Sequence, residues 1–166
     1  VLEAIAHELA QRASIVEVRK DEVARGQLSV PYKPLTAKCL LEESKRNSIQ
    51  LIQLLGVLKT EDGRVGMMKK NTDSSYDLGP MQINTVHVPE LVKIYGVPAQ
   101  TITSLIANDG CFNVAIGAWL LRKRSNEVGG DFWLGIGRYH SKTPRYSTRY
   151  ILSVHSNINE IISNSK

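Results

Sequence analysis

Apolar residues recur at helical spacing along most of this chain. Leu2, Ile5, Ala6, Leu9 and Ala13 lie three or four positions apart, which places their side chains on one face of an α-helix. This pattern predicts an amphipathic helix to about residue 25, where Gly26 breaks it. The stretch 29–35, SVPYKPL, reads as extended, because Pro31 and Pro34 disfavour helix at and just before themselves. Residues 1–36 therefore read as a helical extension and linker, ahead of a main domain over 37–166.

A second helix is predicted over 37–46 and a third over 48–60. In the third, Ile49, Leu51, Ile52, Leu54, Leu55, Val57 and Leu58 cover nearly the whole girth, and a helix apolar all round belongs in a core. Residues 62–79 are polar and rich in Gly, Ser, Asn and Asp, which predicts a loop or small hairpin. Further helices are expected over 88–95, closed by Gly96, over 102–107, and over 111–126, ended by Gly129 and Gly130. Asp131 is placed to cap a helix reaching about Tyr139. Thr143 and Pro144 open a last helix with Ile151, Val154, Ile158 and Ile161 facing inward. No strand series argues for a large sheet, so the expected class is mainly α: a helical bundle around a central buried helix, with a small loop or hairpin lobe.

Composition narrows the function classes only a little. The chain has 166 residues, 42% of them hydrophobic and 22% charged, as in an ordinary globular protein. No apolar run approaches the roughly 18–20 residues of a membrane span. The net charge of +5 favours anionic partners such as nucleic acid, anionic lipid or an acidic wall polymer. The basic residues are scattered and not interleaved with aromatics, unlike a nucleic-acid platform. His7, His87, His140 and His155 are isolated, and neither Cys39 nor Cys111 has metal-ligand spacing, so no metal or cofactor is expected. Counting alone leaves the two cysteines as one disulfide or two thiols. Trp119 and Trp133 read as core residues.

Two features carry chemistry. Glu61 directly follows the apolar helix, so its side chain is placed to project from the rim of the core into a cleft. Burial penalises the charged form of a carboxyl and raises its pKa, as a general acid near neutral pH requires. The segment SSYDLGPMQIN then offers a glycine for a special dihedral at Gly79, a stiff turn at Pro80, a packing residue at Met81 and a donor and acceptor at Gln82.

Taken in order, these motifs resemble the lysozyme-like lytic transglycosylases. Gly79-Pro80-Met81-Gln82 resembles that family's Gly-Leu-Met-Gln motif. Asn113 and Gly117 fit its Asn-x-x-x-Gly signature, Arg138-Tyr139-His140 its Ala-Tyr-Asn element, and Tyr150 its last tyrosine. The run from Ser75 to Asn84 is similar to the subgroup serving type IV secretion, conjugation and pilus machines. The resemblance covers about residues 37–158. The chain departs from the pattern at Asp62, where the family has serine, and at Pro80, Arg138 and His140.

The resemblance implies a lysozyme-like α+β fold and cleavage of the MurNAc-β-1,4-GlcNAc bond of peptidoglycan, with formation of 1,6-anhydro-MurNAc and no cofactor. It implies Glu61 as the single acid and base, with Tyr150 orienting it. Asp62, a departure from the family pattern, puts a negative charge beside Glu61 and is expected to raise its pKa further. Gly79, Met81, Gln82, Tyr139 and His140 would line the sugar groove. Asp77, Asn84, Asn113 and Gly117 would hold the loops, and Cys39 would pair with Cys111 in an oxidising compartment such as the periplasm. If Asp77 instead faces the scissile bond, hydrolysis by a muramidase route becomes the alternative. A non-catalytic wall-binding assembly module is a third reading. Residues 1–36 lie outside the resemblance, and a docking helix for a transport machine, a cover over the groove and a remnant of a longer precursor all remain open for them.

Overall fold

The computed structural model describes residues 1–19 and 30–165. It is mainly helical with one small antiparallel sheet, an α+β architecture. Helix α1 spans Leu2–Ala13, α2 Ala37–Arg46 and α3 Leu51–Glu61. Strands β1 Met68–Lys70, β2 Tyr76–Leu78 and β3 Ile83–Asn84 follow, and then a short 3-10 turn, Thr85–His87. Helices α4 Val88–Tyr95, α5 Ala99–Asn108, α6 Gly110–Glu127, α7 Phe132–His140 and α8 Pro144–Asn164 complete the bundle.

Helix α3 is the central element. Leu54, Leu55, Val57 and Leu58 are all buried, and α8, α2 and α1 pack around it. Helix α8 turns Val154, Ile158 and Ile161 inward as its spacing predicts. Helix α6 packs against α7, α2 and α5, and the Cys39–Cys111 disulfide ties its start to α2 across a Cα separation of 5.6 Å. Asp131 and Asp109 cap α7 and α6 by accepting from backbone N–H groups, and Gly96 closes α4 at φ 67°.

Several boundaries differ from the sequence pattern. The first helix stops at Ala13, where the Ser14 hydroxyl donates to the Ala10 carbonyl at 2.7 Å. Past it the β-branched Ile15, Val16 and Val18 favour extended chain, and Glu17 N–H bonds to the Val65 carbonyl at 2.9 Å. The expected continuation beyond residue 19 lies outside the described residues. Helix α3 begins at Leu51 because Ser48 sits at φ 53°, a conformation no helix accommodates. Helix α5 starts three residues earlier than its apolar pattern suggests, with Pro98 as its N-cap.

The polar stretch after α3 forms the small sheet, in the order β1-β2-β3. Its register pairs Lys69 with Asp77 and Asp77 with Asn84. Helix α1 buries Ala6, Ala10 and Ala13 in the same core as the other helices. The segment after it continues that contact, since the Ala13 carbonyl accepts from Val65 N–H at 2.8 Å. No helix among the described residues is long and apolar enough to cross a membrane.

Candidate active site

The site begins where α3 ends. Glu61 is its last residue, and Asp62 stops the helix in the left-handed conformation at φ 50° and ψ 32°. Gly63 N–H then bonds to the Pro80 carbonyl at 3.2 Å, joining the helix exit to the Gly79–Gln82 turn. This close approach puts the Glu61 side chain into a cleft of about 720 Å³ between the sheet and the α7–α8 corner.

Asn113 organises the turn. Its side-chain nitrogen donates to the Leu78 and Ile106 carbonyls at 2.8 and 2.9 Å, and its oxygen accepts from Met81 N–H at 2.8 Å. Both of its donors and its oxygen go to backbone groups, which suits a fully buried amide. Gly79 sits at φ 66°, and a Cβ there would collide with that amide. Four residues along the same face of α6, a Cβ at Gly117 would collide with the Met81 sulfur. The Asn-x-x-x-Gly spacing is thus one helical turn that both holds the loop backbone and seats the Met81 side chain. The Tyr139 hydroxyl donates to the Met81 carbonyl at 2.8 Å, fastening α7 to the same turn.

Burial pushes the Glu61 carboxyl up to about 8 from an ordinary 4.5. The Tyr150 hydroxyl draws it back down, the Asp77 charge raises it further, and Lys69 lowers it. Tyr150 itself is buried, and its hydroxyl meets no partner in full hydrogen-bonding geometry. Its hydroxyl nonetheless acts on the Glu61 carboxyl, favouring the charged form. Burial, and then the Glu61 charge, raise the Tyr139 and Tyr150 hydroxyls well above the usual tyrosine value, so both stay protonated. The His140 ring stacks on Tyr150 at 4.6 Å with the planes 2° apart, and burial lowers its pKa.

Of the residues named from sequence, Glu61, Asp77, Gln82, Asn84, Tyr139 and His140 come together along the cleft, with Tyr150 next to Glu61. Gln82 sits at φ 52° and donates from its side chain to the Gly79 carbonyl at 3.0 Å. Asn84 donates to Ser75 and Asp77, each at 3.0 Å, bracing β2 against β3. Three residues fall elsewhere. Gly79 is buried against the Asn113 side chain and does not line the cleft. Met81 is fully buried and presents only its backbone to the loop. Asp62 turns away to an exposed ion pair with Arg12 at 3.1 Å, outside the cleft. The negative charge acting on Glu61 is that of Asp77. Trp119 and Trp133 pack half-buried against the core, away from the cleft.

The cleft also holds residues that sequence reasoning did not single out as site residues. Lys69 acts on Glu61 from β1. Its signal was the alternation of a strand pair, hidden inside a stretch of only three residues per strand. Arg138 and Lys142 line the α7 side, and their position depends on the fold of the corner between α7 and α8.

No family model matches the chain. It is similar to proteins named Invasion protein IagB from two strains of Salmonella typhimurium, SL1344 and LT2, and from Salmonella typhi, each 31% identical over 108 residues. That match covers 64% of this chain and spans 64% of the length of those relatives.

Proposed function

We propose that this chain is a peptidoglycan lytic transglycosylase. The observation that carries the reading is the Glu61 carboxyl, held at about 8 by burial at the edge of a polar cleft. At neutral pH such a group is protonated and ready to donate. In the proposed reaction Glu61 protonates the glycosidic oxygen between MurNAc and GlcNAc, and the C1–O bond breaks. The substrate's own acetamido group assists at C1. The C6 hydroxyl oxygen of the same MurNAc then bonds to C1, and its proton passes to the Glu61 carboxylate. The ring closes as 1,6-anhydro-MurNAc, Glu61 regains its proton, and no water is consumed.

The neighbours supply positioning. Tyr150 steadies the carboxylate formed after proton donation, because its hydroxyl favours the charged form. Gln82, Tyr139 and His140 line the sugar path, while Asp77, Asn84, Asn113 and Gly117 hold its walls. Residues 37–166 carry the catalytic domain, with 1–36 as its extension and the segment from which partner contacts are expected. The Cys39–Cys111 disulfide supports an exported protein in the cell envelope or periplasm, where thiols are oxidised. The relatives' name ties them to invasion, which fits a wall opener serving a secretion, conjugation or pilus apparatus.

One observation favours a second reading. Asp77 lines the same cleft and its charge acts on Glu61, so a two-carboxylate hydrolase is the competing mechanism. Its engagement by Asn84 fits a structural role better. Mass spectrometry of purified murein digested by the protein separates the two. Anhydro ends are expected, whereas reducing ends, heavier by one water, mean hydrolysis. Glu61→Gln should lower turnover by about 10²- to 10⁴-fold, the usual scale for a lost general acid. Undiminished product from that variant removes Glu61 from the mechanism.

A further inference from the structure

The α7–α8 corner carries a second chemical signal. From Arg138 to Arg149 the chain has four cations and no carboxylate. Arg138 and Lys142 line the cleft itself. Arg149 lines a neighbouring hollow of about 290 Å³ with Tyr146, Tyr150 and Ser153, and His140 borders both spaces. Among the described residues, Arg138, Lys142 and Arg149 enter no ion pair, whereas Arg124, also on the cleft wall, is paired with Glu127. The cleft's other carboxylates are on the sheet side and already engaged, Asp73 by Ser75 and Asp77 by Asn84. The N-terminus of the 21-residue α8 lies in the same corner, and its N-cap Thr143 supplies no side-chain cap, which adds partial positive charge.

Unpaired guanidinium and ammonium groups along a concave path favour a ligand that brings carboxylates with it. We infer that Arg138, Lys142 and Arg149 form an anion subsite for the carboxylates of peptide stems borne on the glycan strand. This inference rests on the proposed glycan-cleaving function and specifies its substrate: stem-bearing strands over naked ones. A membrane surface would also attract cations, but Arg138 and Lys142 face into the cleft, where a glycan strand runs and a lipid surface does not reach.

The test uses the Glu61→Gln protein, which should hold strands without cutting them. Its affinity is measured by fluorescence anisotropy for soluble glycan strands with stems, strands stripped of stems by an amidase, and strands whose stem carboxylates are methyl-esterified. The stem-bearing strands should bind about tenfold more tightly than either of the others, about 1.4 kcal/mol. Adding Arg138→Ala, Lys142→Ala and Arg149→Ala together should reduce that ratio toward one. The esterified strands keep the result decisive if the triple variant unfolds, because they remove the charge from the ligand instead. Equal affinity for all three strands overturns the subsite, as does a ratio that survives the triple variant. Loss of binding to phosphatidylglycerol vesicles with the stem preference intact overturns it in favour of a lipid surface. Failure to bind any strand overturns the underlying glycan reading as well, which separates the two failures.

Discussion

Glu61 and Asp62 are neighbours in sequence and opposites in environment. One closes α3 and turns into the cleft, where burial holds its proton to about 8. The other, one residue on, takes a left-handed backbone and pairs with Arg12 at the exposed surface. Removal from water sets the titration of an acid more strongly than sequence proximity to another charge, and the backbone rotation at residue 62 is what separates the pair. The cleft side of the helix end keeps its acid from water, while the α1 side pairs its acid with a cation at the exposed surface.

The sharpest way to break this contrast is Glu61→Gln followed by stability against pH. Glu61 has a folded pKa of about 8 and an ordinary value of 4.5, so between these the folded state binds the extra proton. Its contribution is fully present below about 4.5 and is lost as pH rises toward 8. The glutamine variant should therefore exceed the parent in denaturant stability by on the order of 5 kcal/mol near pH 9, with no difference near pH 4. An equal gain at both values would mean that the carboxyl is not held in its neutral form.

Tyr150→Phe should act more gently. Its hydroxyl lowers the Glu61 pKa, so its removal should move the alkaline limb of the activity profile to higher pH. Because that hydroxyl has no bonded partner, stability should change by less than about 1 kcal/mol. A limb that stays in place would separate Tyr150 from the acid. Asp62→Asn should do least. Asparagine tolerates the left-handed backbone, and an exposed ion pair is worth about 0–1 kcal/mol. The alkaline limb should not move, and a shift there would show that the two acids are electrically joined after all.

The pattern of residues was enough to read the bundle, the buried centre at α3, the caps at Gly96 and Asp131, and the opening of α8 after Thr143. Each rests on local chemistry that a short window contains. The end of α1 was harder to read, because Ala13 is still apolar and the helix stops through a serine hydroxyl bond and contacts made far along the chain, at Val65. Those contacts also show that α1 is packed into the common core, a relation no periodicity expresses. The positions of Met81 and Asp62 likewise depended on partners, Gly117 in one case and Arg12 in the other.

From sequence alone came the class of the fold, a lone acid at the end of a greasy helix, and the spacing of the turn and helix motifs near it. These are properties of hydrophobic period, dihedral preference and residue type, all written within a few positions. A raised Glu61 and a Cys39–Cys111 pair were expected before the fold was known, and the structure has both. Tertiary structure alone decided that Asp77 and Lys69 are the charges acting on Glu61, and that three cations outside any ion pair among the described residues gather at one corner. Burial and electrostatics depend on distances through space, and those distances exist only once the chain has packed.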